Sequence, residues 1–263
     1  MKAVLTVKHL TCGYSKEPMI RSISFSVEEG TVVGVLGPNG SGKTTLFKAI
    51  GGTLPYLEGI IRYQDKNMAA IPVKERAREI AFIPQFFSVP FSYTVEEIVI
   101  MGRYPHKKRF EPFSEKDRSV LEKVLKETEL LEKRSVSIHS LSGGEIQRAL
   151  LAQGLCQEAK LLLLDEPVSH LDIGHQIRFL DVIARMSRKK ELSVLVTLHD
   201  LNLAALYCDT IILLQDGKIA MQGEAEKVLT YENIEAVYGT TVIVKENPVT
   251  KKPNVFLIPE KYR

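Results

Sequence analysis

Gly37-Pro38-Asn39-Gly40-Ser41-Gly42-Lys43-Thr44 decides the fold, because an apolar strand-like run at 32 to 36 leads into it and a helical stretch from Thr44 to Ile50 leads out. This is the spacing of a phosphate-binding loop between strand and helix. Its glycines let consecutive backbone N–H groups curl around phosphate oxygens, the helix N-terminus adds a favourable dipole, and an ammonium can reach the β- and γ-phosphates. Lys43 supplies that ammonium. The Thr44 hydroxyl suits Mg²⁺, and Thr45 is placed to meet an α-phosphate. A purely structural turn accounts for Gly37, Gly40 and Gly42 but leaves the adjacent Lys43-Thr44 pair without a reason. The helix stops at Gly51-Gly52, a pair that can supply the C-cap conformation.

A second carboxylate-bearing motif lies far downstream. Leu161-Leu162-Leu163-Leu164-Asp165-Glu166-Pro167 is a continuously apolar strand that delivers two acidic residues to its C-terminal end, where ligands collect in parallel sheets. Asp165 is expected to bind Mg²⁺, directly or through water, and Glu166 to face the γ-phosphate and polarise an attacking water. Val194-Leu195-Val196-Thr197-Leu198 is a similar run and ends at His199, which either touches the γ-phosphate, or orients that water and Glu166, or is an ordinary loop residue before an Asp200-capped helix. Gln85 follows a strand at 80 to 83; its amide either links Mg²⁺ or its water to the next segment or has no such role.

Around these motifs the chain reads as strand-rich at 3 to 9, 22 to 28 and 60 to 64. From Phe91 the pattern turns helical. Thr94 caps a helix through Met101, and Ser114-Glu115-Lys116-Asp117 forms a capping box ahead of Val120, Leu121, Val124 and Leu125. Helices at about 175 to 189 and 201 to 207 are expected to cover the sheet. A strand at 210 to 215, a turn at Asp216-Gly217, a short helix near 224 to 229 and a terminal hairpin from Thr241 follow. At Leu141-Ser142-Gly143-Gly144-Glu145 two readings stay open: a capped helix start, or a bare turn that a phosphate approaches closely.

The 263 residues, 44% hydrophobic and 25% charged, describe a globular chain, and no apolar run reaches the roughly 20 residues needed to cross a bilayer. A net charge of +3 is too small to point to nucleic acid. Cys12, Cys156 and Cys208 are too scattered for a disulfide framework or a metal site and read as buried thiols. The opening MKAVLTVKHLTCGYS lacks the pattern of a secretory signal, which predicts a cytosolic chain.

With these motifs in place, nearly the whole chain resembles the nucleotide-binding subunit of ATP-binding cassette (ABC) transporters. The resemblance implies an α/β fold of the P-loop nucleoside triphosphate hydrolase type, with an N-terminal antiparallel β region and a helical subdomain. Residues 1-90 and 158-240 would form the core with its β region, 91-157 the helical insertion, and 241-263 a short β extension of a single domain. It implies ATP and Mg²⁺ as cofactors, with Ser142, Gly143 and Gly144 acting as a signature turn on ATP held by the phosphate loop of a second copy, in a head-to-tail dimer. It also implies Tyr14 as the aromatic residue that stacks on adenine, Gln85 as the linker glutamine, His199 as the switch histidine, and Ser169-His170-Leu171-Asp172 as the loop crossing the dimer centre.

Within the family, Thr94 to His106, Pro167 to Asp172 with His175-Gln176, and Asn247-Pro248-Val249-Thr250 resemble importers of iron-siderophore complexes, haem and cobalamin. Val168 stands where the family more often has threonine. The resemblance implies a peripheral place on the cytoplasmic face of the membrane, two transmembrane permease subunits docking near residues 86-110, an indirect substrate-binding protein and no nucleic acid. The apolar cluster Phe86, Phe87, Val89, Pro90, Phe91 and Tyr93 suits a groove for a membrane partner's helix, or ordinary core packing. Arg103, His106, Lys107, Lys108 and Arg109 read either as a partner- or lipid-facing run or as a solvated helix end. A soluble ATPase of the same motif class, acting in DNA repair or translation, is the alternative. It is disfavoured by the short insertion and the single motif set. A small-molecule kinase is disfavoured by a residue set suited to water attack.

Overall fold

The computed structural model describes residues 2–14, 17–85, 87, 90–189 and 192–262. Strands β1 (Ala3–Cys12) and β2 (Ile20–Glu28) pair antiparallel, and β3 (Val32–Leu36), buried throughout, leads into the phosphate-loop stretch and α1 (Lys43–Gly51). β4 (Tyr56–Tyr63) and β5 (Lys66–Asn67) complete a four-stranded antiparallel sheet in the order β2-β1-β4-β5. The expected strand at 60 to 64 is thus longer and starts earlier. Gly59 hides its first half, sitting at φ 94 where a Cβ would fall 2.4 Å from the His9 carbonyl oxygen, beside a shift in the β1–β4 register. A bulge glycine reads as a turn in sequence.

Next come α2 (Val73–Glu79), β6 (Ile80–Ile83), α3 (Val95–Ile100), α4 (Glu115–Glu127), α5 (Gly143–Cys156), β7 (Leu161–Leu164), α6 (Ile173–Arg188) and β8 (Ser193–Thr197). α7 (Leu201–Tyr207), β9 (Thr210–Gln215), β10 (Lys218–Gly223), α8 (Ala225–Val228), α9 (Tyr231–Tyr238), β11 (Val242–Glu246) and β12 (Pro253–Leu257) end the chain. Sequence reasoning passed over α2, β10 and α9. α2 buries none of its residues, so it has no apolar stripe to announce it.

The second sheet runs β10-β9-β3-β8-β7-β6, parallel throughout except for β10. β7 explains why its sequence is all leucine: Leu161 and Leu163 pack with the antiparallel sheet, while Leu162 and Leu164 pack on the opposite face with α3 to α6. Each buried leucine contributes roughly 1.5–3 kcal/mol, so neither face tolerates a polar residue. Parallel strands of one sheet end on the same edge, and the loops after β3, β6, β7 and β8 carry the candidate site.

The helical region is anchored by charge. Arg103 and Lys107 are buried, unlike either the partner- or lipid-facing run or the solvated helix end read from sequence: Arg103 pairs with Asp117 (3.0 Å) and Glu158 (2.7 Å), and Lys107 with Asp117 (2.9 Å) and Glu111 (3.0 Å). His106 Nε2 lies 2.8 Å from the Gln157 carbonyl oxygen. Sequence could not reveal this, because Asp117 looks like a helix-capping residue and does that as well, accepting from Ser114. Burial alone would raise the Asp117 carboxyl, but bonds from Ser114, Lys107 and Arg103 outweigh it and hold the group far below the usual range. Removing one member of such a cluster strands the others. Asp117→Ala is expected to cost about 3–5 kcal/mol in urea denaturation, whereas truncating the exposed Lys126–Glu122 pair should cost about 0.5 kcal/mol or less.

Candidate active site

The phosphate loop keeps an open helix N-terminus, while its own Ser41 N–H turns back to the Pro38 carbonyl (3.2 Å). Gly42 begins α1 without a side-chain cap and no acidic residue occupies the first turn, so the first-turn N–H groups face outward. Ser41 Oγ is buried with no hydrogen-bond partner, and beside Gly40 a Cβ would meet nothing within 4 Å. Unpaired donors around open space at a helix N-terminus fit a polyphosphate. Lys43, almost fully buried, donates to the carbonyls of Gly37 (2.8 Å) and Pro38 (3.1 Å). Burial lowers its pKa, with the Glu166 and Asp165 charges pulling it partly back. Thr45, expected at an α-phosphate, is buried and donates to Met19 Sδ (3.1 Å). Tyr14 is 61% exposed, steadied by Lys48 at 5.4 Å from its ring centroid and 3.2 Å from its hydroxyl.

Asp165 leaves β7 at 1% exposure. Burial raises its pKa, while hydrogen bonds from Thr44 and Thr197 oppose the rise. Thr44 and Asp165, both singled out for Mg²⁺, are therefore brought together directly. Glu166 follows at φ 49, in the left-handed region that side-chain-bearing residues avoid. Its carboxylate is gripped from two sides, by Gln85 Nε2 at 2.6 Å and His199 Nε2 at 2.7 Å. Three expected residues from three strand ends thus meet on one carboxylate. Asp200 caps α7 through the N–H groups of Asn202 and Leu203, so the helix-capping reading holds beside the His199 contact.

Thr197 was missed. The last residue of β8, fully buried, it accepts from the Glu166 N–H (2.5 Å) and donates to Asp165 Oδ1 (3.0 Å). A threonine in a strand reads as a β-former, and the one available signal was a hydroxyl closing an otherwise aliphatic run.

Ser142 caps α5 in a full capping box: its hydroxyl donates to Glu145 Oε2 (3.0 Å), and its backbone N–H does so at 2.9 Å. Of the apolar cluster near residue 90, Phe87 and Tyr93 pack on the core and Phe91 is exposed, while Phe86 and Val89 lie outside the described residues.

The sequence pattern of the ABC transporter family matches residues 20–169. The chain belongs to that family. It is 38% identical over 253 residues to the uncharacterized ABC transporter ATP-binding protein YvrA of Bacillus subtilis, covering 96% of this chain and 57% of that protein. It is 37% identical to the cobalamin import ATP-binding protein BtuD of Halobacterium salinarum, covering 92% of this chain and 61% of that one. The chain thus spans about 60% of the length of these relatives. The ferric enterobactin transport ATP-binding protein FepC of Escherichia coli is 34% identical, over 96% of this chain and 93% of its own. A solved inward-facing ABC transporter described as of metal-chelate type superposes at TM-score 0.88 with 28% identity, covering 99% of each chain.

In this ABC chain the signature-turn acid also has a defined charge state. A hydrogen bond from Lys133, then Ser142, outweighs burial and pulls the Glu145 carboxyl down to about 2 from 4.5. A lowered carboxyl pKa stabilises the fold above the unfolded value and loses that contribution as pH falls through the folded value. The stability difference between the native chain and Glu145→Gln, followed by urea midpoints, should be constant above pH 4.5 and shrink towards nothing near pH 2.

Proposed function

We propose that the chain is the ATP-binding and ATP-hydrolysing subunit of an importer of metal chelates, of the iron-siderophore, haem or cobalamin class, working through partner membrane subunits. The observation that carries the enzymatic half is Glu166, held between Gln85 and His199 and adjacent to the carboxylate that Thr44 touches. The printed names of the cobalamin and ferric enterobactin relatives support the cargo class. Residues 1-90 with 158-240 act as the core, 91-157 as the helical insertion, and 241-263 as the tail.

Loop residues 37 to 44 cradle the phosphates, Tyr14 offers its exposed face to adenine, and Thr44 with Asp165 would hold Mg²⁺, with the Gln85 amide oxygen joining them. Mg²⁺ supplies neutralisation of phosphate charge. Glu166 takes a proton from the attacking water as its oxygen bonds to the γ-phosphorus and the bridge to the β-phosphate breaks, while His199 orients the Glu166 carboxylate and Lys43 opposes the developing charge. A second copy, head to tail, covers each nucleotide with its own Ser142-Gly143-Gly144 turn, so one chain alone hydrolyses poorly.

No helix among the described residues is long and apolar enough to cross a membrane, which is consistent with a peripheral subunit on the cytoplasmic face. Two permease subunits dock near residues 86-110, where Phe91, Tyr104 and Phe110 are exposed, and a substrate-binding protein acts through them.

Glu166→Gln should bind ATP within about threefold of the native chain while its turnover falls at least about 10²-fold, measured by equilibrium binding and phosphate release. Unchanged turnover would remove Glu166 from its role. Ser142→Ala should slow turnover of concentrated, paired chains and leave ATP binding by dilute chains unchanged; weakened binding by dilute chains would count against action across the pair. Purification of the tagged chain with its native membranes should recover a permease whose metal chelate stimulates ATP turnover.

A further inference from the structure

The two glycines of the signature turn do different jobs. A Cβ on Gly143 would meet nothing within 4 Å, so that position opens outward. A Cβ on Gly144 would fall 2.4 Å from Cδ2 and 2.7 Å from Cγ of His175, distances that no packed carbon tolerates. Gly144 is therefore bare because a ring from the same chain lies against it, while Gly143 leaves open the side that a phosphate would approach.

The ring is tethered at its other end. His175 Nδ1 lies 2.7 Å from Asp172 Oδ2, and its backbone N–H donates to Asp172 Oδ1 at 2.9 Å. A carboxylate accepts only, so Nδ1 carries the proton in this bond, and the Cγ–Cδ2 edge of the ring faces Gly144. The next residue continues the connection. Gln176 donates its side-chain N–H to the Val168 carbonyl (3.1 Å) and its backbone N–H to the Asp172 carbonyl (2.9 Å), and Ser169 Oγ donates to the Glu166 carbonyl (3.1 Å). Contacts thus run without a gap from Gly144 through His175 to the loop that leaves Glu166.

We propose that His175 is a positioning residue that braces the Ser142-Gly143-Gly144 turn against the loop behind Glu166, so that a γ-phosphate seated by this turn in one nucleotide site sets the carboxylate in the other. The proposal rests on the paired-ATPase reading above. Contiguous packed side chains and hydrogen bonds are the physical means by which two sites influence each other, and here one imidazole spans the distance between two helix N-termini.

The test is a double-mutant cycle in the full-length chain with native, Gly144→Ala, His175→Ala and the double variant, reading kcat, KM and the Hill coefficient for ATP, with ATP affinity measured on dilute chains. Gly144→Ala should lower kcat about tenfold because its methyl group drives into the ring. His175→Ala should lower kcat about threefold and bring the Hill coefficient towards one, with ATP affinity of dilute chains unchanged. With the ring gone, the methyl group has room, so the double variant should match His175→Ala alone. If Gly144→Ala is insoluble, recovery of soluble, active protein on adding His175→Ala is the same result. Losses that multiply in the double variant, or a His175→Ala chain with native kcat and cooperativity, would overturn the proposal. Native protein without ATP turnover would instead sink the ATPase reading itself.

Discussion

Taking a carboxylate out of water costs several kcal/mol, and Asp165 is 1% exposed, so the edge of the parallel sheet is organised around returning that cost. Thr44 reaches it from the helix after β3, Thr197 from the end of β8, and Lys43 adds a nearby positive charge. Thr44 and Lys43 follow β3, Thr197 ends β8 and Asp165 itself follows β7, so the carboxyl ties three parallel strands into register at the edge where they finish. Displacing any of them leaves a buried charge without its bonds.

Glu166 depends on the same framework. A glutamate at φ 49 costs about 1–2 kcal/mol of backbone strain, and it stays there because Thr197 accepts its N–H and Ser169 bonds its carbonyl. That turn places the carboxylate between Gln85 and His199 rather than back along β7. The threonine thus serves two acids at once, one by donating and one by accepting.

Much of this was legible in the chain. The phosphate loop, the four leucines with their two acids, and the three capping boxes at Thr94, Ser114 and Ser142 are local signals, each readable within about a turn of helix or one strand, and they fixed the elements that hold the site. What stayed hidden depends on distant partners. Arg103 and Lys107 look solvated until Asp117 and Glu158 fold against them, and the Gly144–His175 contact joins two helix starts thirty-one positions apart in sequence. The first half of β4 stayed hidden behind its bulge glycine for the same reason, since the neighbouring His9 carbonyl explains Gly59.

An amide side chain ties the terminal hairpin to this machinery. Asn202 donates to the Val255 carbonyl (3.2 Å) and accepts its N–H (2.7 Å), imitating the paired bonds of a neighbouring strand with a side chain from the first turn of α7. That helix starts two residues after His199. The tail is therefore tied to the histidine's helix, and a chain clipped ahead of β12 would strip the Asn202 amide of both these bonds while Asp200 still capped the helix.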